Sequence, residues 1–252
     1  MNQKTSPPAI AVIGIDCWYP GAQSPRELWE NILAKRRQFR RTPDQRLPLS
    51  AYYNSDPKVP DKTYANRMAV IDGFQFDWAG KRIPRSTFES TDIVHWLALE
   101  VCQKALLDAG YTRDSLPSQK TGVVVGNTLT GEITRAVFLR LRWPYMRRAL
   151  RAAAENKLEP KILSDLENRM EGYLKSVLPG ITQDSLAGFL SNTIAGRICN
   201  FFDFKGCGYT VDGACSSSLI ALATAAQALV NEDLDLALAG GVDISLDPLE
   251  MV

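Results

Sequence analysis

Residues 209–230 read YTVDGACSSSLIALATAAQALV, and this stretch decides the fold. The β-branched and aromatic residues of Tyr209–Asp212 predict a strand. Gly213-Ala214-Cys215-Ser216-Ser217-Ser218 is a run of tiny residues, which predicts a sharp turn. From about Cys215 to Val230 there is no charge, and the predicted helix carries Leu219, Ile220, Leu222, Leu229 and many alanines around its whole circumference. A helix that is apolar on every face must be buried on all sides. It should therefore lie between two layers, which a simple three-layer sandwich does not provide.

Working outward, strands alternate with helices. Ala9–Ile15 (AIAVIGI) and Thr121–Gly126 (TGVVVG) are short apolar runs of the kind that form buried parallel strands. Leu234–Ala239 predicts a further strand and Val242–Leu246 an extended segment. Ser24-Pro25-Arg26-Glu27 starts a helix, with Ser as N-cap, Pro in the first turn and Glu three residues on. That helix should reach about Arg37 with Leu28, Trp29, Ile32 and Leu33 buried. Residues 40–90 predict an ordered loop with short strands, one near Met68–Ile71. Thr91–Ala109 has apolar residues at helical spacing and Gly110 as its stop. A further helix is expected at about Asn192–Phe202. The order argues for α/β with largely parallel strands.

Residues 131–180 interrupt this alternation. They are helical, polar and broken at Pro144, Pro160 and Pro179, with a basic cluster at Arg135, Arg140, Arg142, Arg147, Arg148 and Arg151. The segment reads as a helical insertion on the surface, a solvated face whose functional option is docking of an acidic partner.

Composition narrows the chemistry. The chain has 252 residues, 29 Lys and Arg against 28 Asp and Glu, five Cys and one His. A net charge of +1 excludes nucleic-acid binding through bulk charge. No run is long and apolar enough for a membrane span and no secretory leader is evident, so a reduced, cytoplasmic setting is expected. One His excludes a multi-His metal site. Gly126 to Gly131 has the glycine spacing of a phosphate loop, but Glu132 and Ile133 stand where Lys and Ser/Thr are needed. Gly206-Cys207-Gly208 lacks the third glycine of a dinucleotide fingerprint. Cys199, Cys207 and Cys215 form no CxxC pair, so no metal is expected, and Cys17, Cys102 and Cys199 read as small core residues. His95, mid-helix beside Trp96, reads as a packing or hydrogen-bonded structural residue.

Cys215 differs from these. A strand, a tight turn of small residues and a departing helix make the geometry of a nucleophile elbow. Small neighbours let a substrate carbonyl approach the sulfur, and turn and helix-start N–H groups, the Cys215 amide among them, can stabilise an oxyanion. The helix N-terminus favours the thiolate, the reactive form. Set against this is a buried Cys opening a core helix, with the serines as caps.

VDGACSSSLIALATAAQAL followed by DLALAGGVDISLDP resembles the nucleophile segment of β-ketoacyl synthase (ketosynthase) domains of polyketide and fatty acid synthases. AIAVIGIDCWYPGAQSPRELWENILAKRRQF is similar to the start of type I ketosynthases, and SNTIAGRICNFFDFKGCGYTVDGACSSS to their approach to the active site. WLALEVCQKALLDAG, GVVVGNTLTGE, RLRWPYMRR and LSNTIAGRICN most resemble the enediyne-type iterative synthases. The resemblance implies a thiolase-like fold, αβαβα, with the 215–230 helix in the central layer.

It also implies a function. Cys215 is the matching nucleophile, accepting an acyl group from the phosphopantetheine arm of an acyl carrier protein. Decarboxylative condensation with a malonyl-carrier thioester follows, with no cofactor bound directly. A homodimer is implied. The family's two catalytic His motifs, His-Gly-Thr and a later Gly-His, do not occur in these residues. The chain is thus expected to be the N-terminal half of a ketosynthase. It would be incomplete without the C-terminal half, prone to aggregation or obligate pairing through exposed apolar surface, and hardly able to condense alone. The alternative is a non-catalytic ketosynthase-like scaffold or dimerisation piece.

Overall fold

A computed structural model describes residues 9–45, 47–113, 115–128, 131–154, 157–244 and 248–252. In chain order the elements are α1 (Pro25–Leu33), β1 (Arg40–Arg41), α2 (Leu49–Tyr52), β2 (Arg67–Met68), α3 (Arg85–Glu89), α4 (Ile93–Asp108), β3 (Thr121–Gly126), α5 (Glu132–Leu141), α6 (Trp143–Ala154), α7 (Pro160–Val177), α8 (Ser185–Phe189), α9 (Asn192–Phe202), β4 (Gly208–Val211), α10 (Ser217–Val230), β5 (Leu236–Gly241) and α11 (Pro248–Met251). They fall into two compact units. One comprises Met1–Asp77, Val94–Leu129 and Ser191–Val252, the other Trp78–Ile93 and Thr130–Leu190.

The first unit is organised by a parallel sheet in the order β4-β3-β5. Val123 stands opposite Gly208 and Gly126 opposite Val211 on one side; Thr121 pairs with Leu236 and Gly126 with Gly241 on the other. All six residues of β3 are buried, as a central parallel strand requires when helices cover both faces. Successive side chains alternate between those faces. Val124 packs with Ala221 and Ala225 of α10. On the opposite face, a Cβ on Gly208 would lie 2.6 Å from Cys199 Sγ of α9, and Thr210 Oγ1 donates to Ser191 O at 2.8 Å. In α4, Val94, Trp96, Leu97 and Leu99 are buried; Phe76 stacks on Trp96 and the Arg197 guanidinium lies 4.7 Å from the indole.

The helix start at Ser24 forms as its sequence dictates. Ser24 Oγ accepts from Glu27 N at 3.3 Å, Pro25 takes the first position and Glu27 Oε2 accepts from Gln23 N at 2.7 Å. The helix stops at Leu33 rather than Arg37, with Lys35 in the left-handed region at φ 53°. Its buried residue is Asn31, whose amide donates to Gly21 O at 2.7 Å, while Trp29, Ile32 and Leu33 face outward. The loop beyond it carries the antiparallel pair β1–β2, near the expected strand at Met68.

Two expectations fail for one physical reason. Ala9–Ile15 is not a buried strand: it runs unpaired along the end of α4, with Ile15 N donating to Asp108 Oδ2 at 2.9 Å and Val12 80% exposed. Likewise α10 is not buried on all sides, for Leu219 is 68% and Leu222 53% exposed. Apolar patterning states what a segment must bury, and among the described residues one three-stranded sheet covers a single face of α10. Of the extended Val242–Leu246, residues 242–244 carry no regular structure and 245–246 lie outside the described residues.

The second unit is helical. Pro144 falls in the first turn of α6, Pro160 opens α7, and Pro179 follows the α7 cap. Asp92 Oδ2 accepts from Ile133 N at 3.1 Å at the start of α5. Two of the clustered arginines hold helices together: Arg140 donates to Lys175 O and Leu178 O at the end of α7, and Arg151 makes a bidentate pair with buried Glu167 at 2.6 and 2.9 Å. No described helix is long and apolar enough to cross a membrane.

Candidate active site

The site is at the carboxyl ends of the parallel strands, where open α/β sheets place their reactive loops. Strand β4 ends at Val211, Asp212 and Gly213 turn the chain, and a single 3-10 turn over Ala214–Ser216 leads into α10. Only a very close approach lets this corner sit on the sheet. A Cβ on Gly126, the last residue of β3, would lie 2.6 Å from the Ser217 carbonyl carbon and 2.8 Å from Ser218 N. A Cβ on Gly213 would lie 2.2 Å from Ile220 Cδ1. Gly126 therefore keeps the space into which the helix start fits, whereas the atoms facing Gly213 belong to side chains that can move aside.

The turn contains a strained residue. Ala214 adopts φ 51°, a left-handed conformation that costs a residue with a Cβ roughly 1–2 kcal/mol. Four side chains surround it. Asp212 Oδ1 accepts from Ala214 N at 2.9 Å and from Thr128 Oγ1 at 2.8 Å. Ser217 Oγ donates to Ala214 O at 2.7 Å and accepts from Gly213 N at 2.9 Å, and Ser216 Oγ donates to Gly213 O at 2.7 Å. The Ala214 amide, then the Thr128 hydroxyl, hold the Asp212 carboxyl below its ordinary range. Alongside, Asn127 Nδ2 donates to Val242 O at 2.8 Å and Asn127 Oδ1 accepts from Ser191 Oγ, tying the ends of β3 and β5 to the start of α9. The apparent phosphate-loop segment thus spends Asn127 and Thr128 on bracing the corner; Leu129 and Thr130 lie outside the described residues.

Cys215 sits in the middle of the 3-10 turn and is the exposed cysteine; Cys17, Cys102, Cys199 and Cys207 are half-buried. Burial pushes the Cys102 thiol up to about 12 and the Cys199 thiol up to about 11, and it raises Cys17 as well. Those three are held as thiols at neutral pH, which makes them poor nucleophiles. Cys199 Sγ lies 3.7 Å from Cys207 O, to which it donates.

His95 is fully buried in α4, with neither ring nitrogen hydrogen-bonded among the described residues. Burial first, and the Arg197 charge second, push its pKa down to about 3. It packs, as one sequence reading had it, but it is not the hydrogen-bonded His of the other.

The sequence reading missed the Asp212–Thr128 brace and the strain at Ala214. Its local signal was available, since an Asp whose side chain accepts from the amide two residues on makes an Asx turn, and Asp-Gly favours one. Thr128 carried no such signal, because its partner is 84 residues away.

The sequence profile of "Beta-ketoacyl synthase, N-terminal domain" matches residues 8–252, and the chain belongs to that family. It is 31% identical over 241 residues, 95% of the chain, to the polyketide synthase PksL of Bacillus subtilis. It is 31% identical over 243 residues to the highly reducing polyketide synthase ACTTS3 of Alternaria alternata. The chain spans 4% and 8% of the length of these relatives.

Among solved structures, the oxazolomycin ketosynthase domain OzmH KS7 of Streptomyces albus superposes with a TM-score of 0.72 at 27% identity. The ketosynthase from module 6 of the bacillaene synthase of Bacillus subtilis does so at 0.66 and 28%. Each likeness covers 95% of this chain, and 35% and 32% of the solved chains. The fold is the thiolase-like fold of ketosynthases, here its N-terminal portion.

Proposed function

We propose that this chain is the nucleophile-bearing part of a polyketide ketosynthase, an acyltransferase that takes an acyl group from the phosphopantetheine arm of an acyl carrier protein. The observation that carries the reading is Cys215: the exposed cysteine, on a braced turn, at the carboxyl ends of the strands and the start of α10. Its thiolate attacks the thioester carbonyl; a new S–C bond forms, the carrier's C–S bond breaks, and the carrier sulfur takes up a proton. The amide N–H of Cys215 supplies the oxyanion stabilisation, since those of Gly213, Ala214, Ser216 and Ser217 donate within the turn. In the condensation, a malonyl-carrier thioester loses carbon dioxide, its carbanion forms the new C–C bond with the acyl carbon, and Cys215 leaves as thiolate.

The condensation needs imidazoles that this chain does not supply, for His95 is buried in α4. The proposal is that the C-terminal half of a ketosynthase provides them and covers Leu219 and Leu222, with homodimerisation completing the assembly. The helices α5–α7 are proposed to be an insertion of the second unit. A cytoplasmic location follows from the carrier-dependent reading.

The test is acylation. Incubated with an acyl-carrier or acyl-N-acetylcysteamine thioester, the chain should carry the acyl mass on the peptide containing Cys215, slowly, and the Cys215→Ala chain should carry none. Condensation product after adding malonyl-carrier protein should be near zero. Acylation that survives Cys215→Ala, or rapid condensation by the chain alone, would overturn the reading.

A further inference from the structure

We infer that Asp212 and Thr128 are positioning residues, a side-chain clamp that holds Ala214 in its left-handed conformation and thereby sets the orientation of Cys215. The inference rests on the reading of Cys215 as the nucleophile and extends it to residues that do not touch the substrate.

A tight elbow needs one residue with positive φ to reverse the chain, and glycine is the ordinary choice. Here glycine occupies the preceding position, where Gly213 is at φ −144°, and Ala214 takes the reversal at φ 51°. A residue held in such a region persists only when its surroundings over-determine it. The surroundings do so. The amide of Ala214 is bound by Asp212 Oδ1 at 2.9 Å, and its carbonyl by Ser217 Oγ at 2.7 Å. Asp212 is in turn held from outside its own segment by Thr128 Oγ1 at 2.8 Å, on the loop after β3. The chain of contacts thus runs from β3 through Thr128 and Asp212 to the residue immediately before Cys215. Gly126, on the same strand end, brings the Ser217 backbone against the sheet, so the elbow is fixed on both sides of the cysteine. With the clamp removed, Ala214 would relax toward negative φ and swing Cys215 away from the N-terminus of α10.

The clamp acts through the acceptor oxygen of Asp212 and not through its charge, so removing the acceptor would slow alkylation. Asp212→Asn removes the charge and keeps an acceptor; Asp212→Ala removes both.

Two readouts on the full chain decide the matter: the rate of Cys215 alkylation by iodoacetamide, mapped by peptide mass spectrometry from pH 6 to pH 9, and hydrogen exchange over residues 213–216. Asp212→Ala should slow alkylation at neutral pH by about tenfold, the population equivalent of the left-handed cost of one residue. It should also speed exchange at the Ala214 amide. Thr128→Val should do the same more weakly. Asp212→Asn should match the unmodified chain, and Ala214→Gly placed in the Asp212→Ala background should restore the rate to within about twofold, since glycine adopts this φ freely.

Exchange unaltered in Asp212→Ala, or alkylation unaltered while exchange rises, would overturn the clamp. So would an Asn variant as slow as the Ala variant. An unmodified chain that alkylates Cys215 no faster than its other cysteines would instead overturn the nucleophile reading, with the exchange data still reporting on the clamp.

Discussion

Replacing Gly126 by valine should destabilise the first unit by about 3 kcal/mol, at the upper end of what forced overpacking of a core costs, and displace the elbow. The Cβ would meet backbone atoms, at 2.6 Å from the Ser217 carbonyl carbon and 2.8 Å from both Ser217 O and Ser218 N. A flexible side chain could move aside; the first turn of a helix packed along β3 and β5 cannot do so without leaving the sheet. The valine branches add to the conflict on a face already filled by Val124, Ala221 and Ala225. Gly240→Ala in β5 is the matched control, because a Cβ there meets nothing within 4 Å. Urea unfolding at constant slope should give a clearly lower midpoint for Gly126→Val and a nearly unchanged one for Gly240→Ala. Equal midpoints for the two variants would show that the close approach at the elbow is not a constraint.

The second large effect is a loss of stability in mild acid that traces to one side chain. His95 binds a proton near pH 6.5 in the unfolded chain but only near 3 when folded, because burial and the Arg197 charge exclude the imidazolium. Between those values the unfolded state holds more protons, so stability falls as pH falls through this window. The contribution is about 2 kcal/mol at pH 5 and about 4 kcal/mol at pH 3, approaching about 5 kcal/mol only below that. The window between pH 6.5 and 5 lies above the titration of ordinary carboxylates. His95→Leu, which keeps an apolar side chain of helical propensity in α4, should flatten the slope of unfolding free energy against pH there. A His95→Leu chain with the same slope as its parent would place the acid sensitivity elsewhere.

How much of this was written in the sequence depends on how local each cause is. The Asn192–Phe202 helix and the TGVVVG strand were legible because turn residues bound short apolar runs, and both occur at those limits. The Ser24 cap was legible because its partners lie within four residues. Cys215 could be found because a strand, a run of tiny residues and an apolar helix are contiguous. Ala9–Ile15 and α10 were read correctly for what they would bury and wrongly for whether they are covered, because coverage depends on layers remote in sequence. Trp29, Ile32 and Leu33 went wrong in the same way, their apolar stripe facing solvent while Asn31 turned inward to Gly21. The clamp lay between these extremes, half of it visible as an Asx turn at Asp212 and half hidden in Thr128.

The central claim, that the fold presents Cys215 as its reactive thiol, has one direct measurement. The full chain is treated with limiting iodoacetamide at neutral pH and all five cysteines are mapped by peptide mass spectrometry, with Cys215→Ala in parallel. Cys215 should be modified about tenfold or more ahead of the others, as expected for the exposed thiol against half-buried ones, of which Cys17, Cys102 and Cys199 are held as thiols by burial, and Cys215→Ala should leave only the slow background. Equal modification of the five, or faster modification of Cys102 or Cys199, would contradict the account.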